Sequence, residues 1–226
     1  MTSLLRLTPL LLVAALIAGF FYSGRAPAAV TIPNPALDAP LAAKPARQVI
    51  VLAGGCFWGV EAVYRHTKGV VRAVSGYSGG TAETANYELV SGHGTGHAES
   101  VEVTFDPSQI SAGQILKIFF AVVHNPTEKD RQGPDYGPQY RSAIFFSTPE
   151  QERIAKAYIA QLTAAKAYPA PIVTEVVPLK AFYPAEDYHQ NYLASHTDQP
   201  YIVINDLPKL AALKQQFPQH YRDKSY

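Results

Sequence analysis

Cysteine occurs once in this chain of 226 residues, at position 56. A single cysteine excludes an internal disulfide and a multi-thiolate zinc site, and leaves open a reactive thiol. Charge is equally sparse. Charged residues make up 16% of the chain, and 19 basic against 18 acidic side chains leave a net charge of +1. With no block of like charges and no basic stripe, there is no electrostatic footprint for nucleic acid. No repeat of 20–50 residues is present, which excludes a solenoid or propeller. Hydrophobic residues reach 47%, the profile of a globular protein. Once the N-terminal segment is set aside, roughly 180 residues remain, enough for one well-buried core.

The N-terminal segment stands apart. An apolar run from Leu10 to Phe21 follows Arg6, which is the form of a secretory signal, and Ala26-Pro27-Ala28 offers small residues for cleavage. Counted from Leu4 to Tyr22 the run approaches bilayer length, interrupted by Arg6, Thr8 and Pro9. Residues 1–28 are therefore expected to be a signal peptide or a membrane anchor. Either places the folded part outside the cytoplasm, in a periplasm or held at the membrane by this segment alone. Residues 29–46 are rich in Ala and Pro without periodicity, and predict an extended linker. The catalytic domain is expected over 47–226, as a monomer.

Within the domain, strands and helices intermingle without a regular βαβ repeat. Apolar runs or alternation predict strands at 48–53, 70–77, 100–105, 141–146 and 172–177, with a strand-like stretch at 201–204. Helical spacing predicts helices from about Cys56 to His66, over Ile115–Val122 with Ser111 as N-cap, from Pro149 to about Ala167, and over 187–196 and 207–216. Residues 124–140, with three prolines and two glycines, predict a long ordered loop, of the kind that often carries function. The expected fold is α+β, a two-layer sandwich with a mixed central sheet and flanking helices.

The chemistry concentrates in Gly54-Gly55-Cys56-Phe57-Trp58-Gly59. Two glycines after a strand allow a sharp turn and a close approach to the backbone. Cys56 then falls at the first turn of a helix, where free N–H groups favour a thiolate. A thiol of pKa ~8.5 is about 3% ionised at pH 7, and lowering the pKa to ~7 makes that about half. Phe57 and Trp58, the only tryptophan, either belong to the core or wall an apolar slot beside the sulfur. In Gly94-Thr95-Gly96-His97-Ala98-Glu99, the glutamate shares the parity of Val101, Val103 and Phe105 in the strand that follows. A carboxyl on the inward face is costly unless paired or protonated. Glu99 thus reads either as a salt-bridged strand end or as an acid kept neutral to donate a proton. Tyr87, Tyr136 and Tyr140 offer phenolic donors in or near rigid loops, suited to a polar oxygen. Asp135 orients a partner or caps its turn.

Gly-Cys-Phe-Trp-Gly at 55–59, Gly-His-Ala-Glu at 96–99 and Gln-Tyr-Arg-Ser at 139–142 closely resemble the A-type peptide methionine sulfoxide reductases, over residues 48 to 195. The family fold is likewise an α+β sandwich. The resemblance implies that Cys56 attacks sulfur, that Glu99 protonates the sulfoxide oxygen, and that Tyr87 and Tyr140 hydrogen-bond it. It also implies that Asp135 contributes to the polar side and that Phe57 and Trp58 hold the substrate methyl group. The substrate would be the S epimer of methionine sulfoxide, free or in oxidised proteins and peptides, reduced with no metal or organic cofactor. Many members carry further cysteines that resolve the oxidised enzyme, and this chain has none. The resemblance therefore implies a one-cysteine variant served by an external thiol: a thioredoxin-like protein, a glutaredoxin or a small thiol. A cysteine hydrolase with His97 or His189 as base, a thiol peroxidase, and a tethered binding module for oxidised peptides are the rival readings. None of them accounts for an inward Glu99 and three ordered motifs together.

Overall fold

The computed structural model describes residues 31–223, so the expected signal or anchor at 1–28 lies outside the described residues. The strands are β1 (Gln48–Gly54), β2 (Val70–Ser78), β3 (Ala98–Phe105), β4 (Arg131–Gln132), β5 (Asp135–Tyr136), β6 (Ser142–Phe146), β7 (Glu175–Pro178) and β8 (Tyr183–Pro184). Six of them form one sheet in the order β7-β6-β1-β3-β2-β8, while β4 and β5 form a separate hairpin. Every pairing is antiparallel except β6 with β7, so the sheet is mixed. The helices are α1 (Phe57–Arg65), α2 (Tyr87–Ser91), α3 (Ala112–Ile118), α4 (Pro149–Ala164), α5 (Tyr192–Ser195) and α6 (Leu207–Gln216).

The two faces of β1 explain its unbroken apolar sequence. Ile50 and Leu52 face the main core, shared with α1, α3, α4 and α6. Val51 and Ala53 face a smaller cluster with Ala143 and Phe145, covered by Leu179 and Phe182. A strand buried on both faces has no reason to alternate. Helix α1 buries Phe57, Val60, Val63 and Tyr64 almost completely, each contributing roughly 1.5–3 kcal/mol. The predicted cap is formed, Ser111 accepting from Gln114 N–H, and α4 opens with Pro149 as expected, behind a Thr148 side chain that accepts from Gln151 N–H.

Three expectations change. Residues 201–204 are not strand-like. Ile202–Asp206 is a wide helical turn running into α6, with Ile202 and Asp206 buried and Val203 and Ile204 exposed. That is burial every four residues, not every two. The helix at 115–122 divides into α3 and a wide turn over Phe119–Val123, all buried. Lastly, the expected linker is extended but docked from its first described residues. Ile32 is 3% exposed in the main core. Asp38 accepts from Ser111 Oγ at 2.5 Å and from Gly113 N–H at 2.8 Å, satisfying the start of α3. The Tyr158 hydroxyl donates to Pro33 O at 2.7 Å, and Ala42 N–H to Pro107 O at 2.9 Å. The packed domain thus reaches back at least to Ile32, not to about Arg47.

Candidate active site

Cys56 is the N-cap of α1, directly after the β1 turn. Gly55 makes that turn with φ of +87°, and a Cβ there would lie 2.6 Å from the Gln132 side chain. Glycine is therefore required twice over, for conformation and for space. The first free N–H of the helix, that of Phe57, donates to Glu99 Oε2 at 3.0 Å. This bond joins α1 to β3 and fixes the carboxyl beside the thiol. Glu99 is 2% exposed on the same face as Val101, Val103 and Phe105. Burial pushes its carboxyl up to about 8, although the Phe57 N–H pulls the other way. At neutral pH it is mainly the neutral acid.

The expected lowering of the Cys56 thiol is not found. Burial raises it well above its ordinary value, with Glu99 and Asp206 adding to the rise. The helix terminus does act in the expected direction, through the Trp58 N–H, but burial outweighs it. Cys56 is 8% exposed and rests as a thiol.

The other expected residues gather here. Tyr87 and Tyr140 lie within electrostatic reach of both Cys56 and Glu99, and burial raises both phenols, keeping them as donors. Asp135, on β5, accepts from the Tyr201 hydroxyl at 2.5 Å, and burial raises its carboxyl. Phe57 is fully buried against Tyr77 and His189. Trp58 is half-buried, stacks on Tyr192 at 3.8 Å and meets Tyr201 edge-on. Tyr136, by contrast, is 63% exposed with Arg131 over its ring.

The segment 187–209 forms a strap across the site, and its contribution escaped sequence reasoning. It supplies His189, Tyr192, Tyr201, Asp206 and Lys209. A small pocket beside the sulfur is lined by Cys56, Gln132, Asp135, Tyr201, Asn205 and Lys209. Asp206 is fully buried, and Lys209 donates to its Oδ1 at 3.0 Å. Gly59 answers to this aspartate: a Cβ there would lie 2.1 Å from Asp206 Oδ1. The only local signal for the strap was Tyr188-His189-Gln190, weighed as a hydrolase base. Neither candidate base is available to the thiol. His97 accepts from Gly80 N–H and binds Thr81 O, while His189 Nδ1 accepts from the Trp58 indole N–H.

A buried thiol beside a neutral carboxylic acid, with phenols close by and aromatic rings for a wall, defines a cysteine-based reductase of a polar, oxygen-bearing centre. The family model described as "Peptide methionine sulfoxide reductase" matches residues 48–221. Peptide methionine sulfoxide reductase MsrA 2 of Mesorhizobium japonicum is 56% identical over 182 residues, covering 80% of this chain and 93% of the relative. The MsrA 2 of a Synechocystis species is 50% identical over 201 residues, covering 88% and 94%. Among solved structures, reduced Mxr1 of Saccharomyces cerevisiae matches with a TM-score of 0.61 at 32% identity, covering 72% of this chain and 92% of that one. Methionine sulfoxide reductase A of Corynebacterium diphtheriae matches with a TM-score of 0.58 at 32% identity, covering 77% and 90%. The chain belongs to the peptide methionine sulfoxide reductase family, of A type. Its reaction is the thiol-dependent reduction of methionine sulfoxide that repairs oxidised proteins, and it calls for no prosthetic group.

Proposed function

We propose that this chain reduces the S epimer of methionine sulfoxide, free or in oxidised proteins, with Cys56 as nucleophile and Glu99 as acid. The observation that carries the assignment of roles is the Phe57 N–H to Glu99 bond, which holds a neutral carboxyl beside the sulfur. Sulfoxide oxygen is a poor leaving group. Glu99 donates a proton to it, and Tyr87 and Tyr140 hydrogen-bond it. Cys56 sulfur attacks the electrophilic substrate sulfur, and its thiol proton restores Glu99. The oxygen passes to Cys56 as a sulfenic acid, and methionine leaves. Phe57 and Trp58 hold the methyl group, and Asp135 steadies the polar side.

With no second cysteine in the chain, one external thiol condenses with the sulfenic acid, releasing water and leaving a mixed disulfide. A second thiol then attacks that disulfide and frees Cys56. The donor is a thioredoxin-like protein, a glutaredoxin or a small thiol. The apolar run after Arg6 supports export, with residues 1–28 as signal or anchor and the domain in a periplasm or at the membrane. Cell fractionation with N-terminal sequencing of the mature chain checks that placement, and a full-length cytosolic product would refute it.

The deciding assay follows methionine formation from separate S and R epimers of a sulfoxide peptide with excess dithiothreitol. Turnover of the S epimer, lost in Cys56→Ser, is the expected result. Equal use of both epimers, or turnover that survives in Cys56→Ser, would falsify the assignment.

A further inference from the structure

The reaction leaves one face of the domain without a role, the face at the far end of α1 from Cys56. The nine residues of that helix measure about 13 Å from end to end. Beyond it the chain runs beside the C-terminal segment: Lys68 N–H donates to His220 O at 2.6 Å, and Arg222 N–H to His66 O at 2.9 Å. The Lys68 side chain is exposed. Burial lowers the His220 imidazole, and Lys117 and Lys68 lower it further, which puts both ammonium groups near its ring. Lys214 lies over the Tyr221 ring, 5.1 Å from its centroid. Arg222 donates to the carbonyls of Thr67 and Val70. Lys68, Lys117, Lys214 and Arg222 thus share one patch, in a chain whose net charge is only +1. Asp223 offsets part of it, 3.2 Å from Lys214 Nζ. Asp106, whose N–H donates to Gly69 O, is buried and engaged by Ser108, Gln109 and Ala46.

The described chain begins at the same patch. Thr31 and Ile32 line a cleft of about 350 Å³ with Lys117, Gln215, Gln216 and Phe217. Lys117 Nζ donates to Asn34 Oδ1 at 2.7 Å and lies 5.4 Å from the centre of the Phe217 ring. Ile32 in the core and Pro33, held by the Tyr158 hydroxyl, fix the point of exit. From Phe21, the end of the apolar run, to Thr31 the chain reaches at most about 35 Å when fully extended. A domain of this size is about 40 Å across. On so short a tether it cannot turn its opposite end to a surface that holds the run.

We propose that, with residues 1–28 kept as an anchor, the patch of Lys68, Lys117, Lys214 and Arg222 docks on an anionic phospholipid surface and turns the Cys56 pocket away from the bilayer. The proposal rests on the anchor alternative of the placement given above. Lipid phosphates attract charge of this sign, each cation at the surface strengthening the hold about fivefold. Salt weakens it, because the attraction falls off within a Debye length. Docking at the C-terminal end of α1 leaves the N-terminal end, with Cys56 and Glu99, open to soluble oxidised proteins and to a soluble thiol donor. A neutral bilayer holds the anchor equally well but does not hold the patch.

The test uses the full chain reconstituted into vesicles of phosphatidylcholine, or of phosphatidylcholine mixed with phosphatidylglycerol. Flotation shows whether the anchor holds. Lysine acetylation followed by mass spectrometry shows which ammonium groups the surface covers. The chain is expected to float with both vesicles. Lys68, Lys117 and Lys214 should acetylate at least about fivefold more slowly on the anionic ones, and high salt should remove the difference. Lys129, in the loop that lines the Cys56 pocket, and Lys180 should label alike on both. Combining Lys68→Glu with Lys214→Glu should abolish the protection of Lys117. Turnover of a soluble sulfoxide peptide should be the same on both vesicles. Equal labelling of the three lysines on the two vesicles would overturn the proposal, as would protection spread over every lysine. Lower turnover on the anionic vesicles would also overturn it, by placing the pocket against the lipid. A chain that does not float with neutral vesicles refutes the anchor reading instead, and the proposal falls with it. Should the double variant fail to fold, the salt dependence and the labelling pattern decide without it. Labelling does not depend on turnover, so it decides for an inactive chain as well.

Discussion

The two walls of the active site are held in place by different means. The wall with Cys56 and Glu99 sits on β1, α1 and β3, at the centre of the sheet, with fully buried apolar neighbours. The opposing wall is the strap 187–209, made of short helical turns with no ladder of its own. It is tied to α1 by the Trp58–His189 hydrogen bond, by the Trp58–Tyr192 stack, by the packing of Leu193 and Ile202 on Ala62, and by Glu61. Glu61 accepts from Asn191 N–H at 3.0 Å with both oxygens, and from Ser75 Oγ at 2.8 Å. The proposed reacting groups thus stand on sheet and helix, and confinement is delegated to a segment of short turns held by side-chain contacts. Substitutions in the first wall should act on the chemical step, and those in the second on substrate retention.

The largest test of that division is Glu99→Gln. Loss of the acid should slow single-turnover methionine formation about 10²–10⁴-fold, read by rapid quench. The same change should stabilise the fold. A carboxyl raised from 4.5 to about 8 by burial carries no penalty below its unfolded value and an increasing one as pH rises from there. The variant should gain about 3 kcal/mol near pH 7 and nothing at pH 4, by urea unfolding at the two pH values. In the wild type the chemical step should fall away above pH about 8, where Glu99 loses its proton. An unchanged pH profile in Glu99→Gln would refute its role as the acid.

Glu61→Ala comes next. It leaves buried donors unmet and loosens the strap, so stability should fall roughly 2–4 kcal/mol and KM should rise more than kcat falls. A loss confined to kcat would contradict the division of labour. Tyr201→Phe removes only the hydroxyl held by Asp135, with an expected rise in KM of about fivefold. Smallest in activity is Asp38→Ala, outside both walls. It should cost about 1–2 kcal/mol at the start of α3 and leave turnover unchanged, which thermal unfolding and a standard assay would separate.

The same contrast governs what was legible in the sequence. The first wall announces itself locally: Gly54-Gly55 after an apolar run marks the turn, and the parity of Glu99 puts it on the core face. The local sequence points to a more acidic Cys56 than the fold provides, because burial and the nearby Glu99 and Asp206 are tertiary facts, while the helix terminus is a local one. The strap has few local signals. Tyr201-Ile202-Val203-Ile204 carries β-forming side chains, yet it forms a helical turn whose Ile202 packs with Ala62 and Leu193, contacts distant in sequence. His189 meets Trp58 across 131 positions of sequence, so its lone pair could not be assigned in advance. The docking of 31–46 depends on Ile32 and Asp38, two side chains within a composition that otherwise describes a tether.

The lone thiol also governs tempo. A resolving thiol in the same chain would face its partner at an effective concentration in the millimolar range, whatever the surroundings. Cys56 has no such companion, so in the proposed cycle each return from the oxidised form waits for a collision, and that wait shortens only as free donor accumulates. The protein therefore idles when reductant runs short and hastens when it returns. In the proposed cycle, the supply of reductant sets how fast the oxidised form returns.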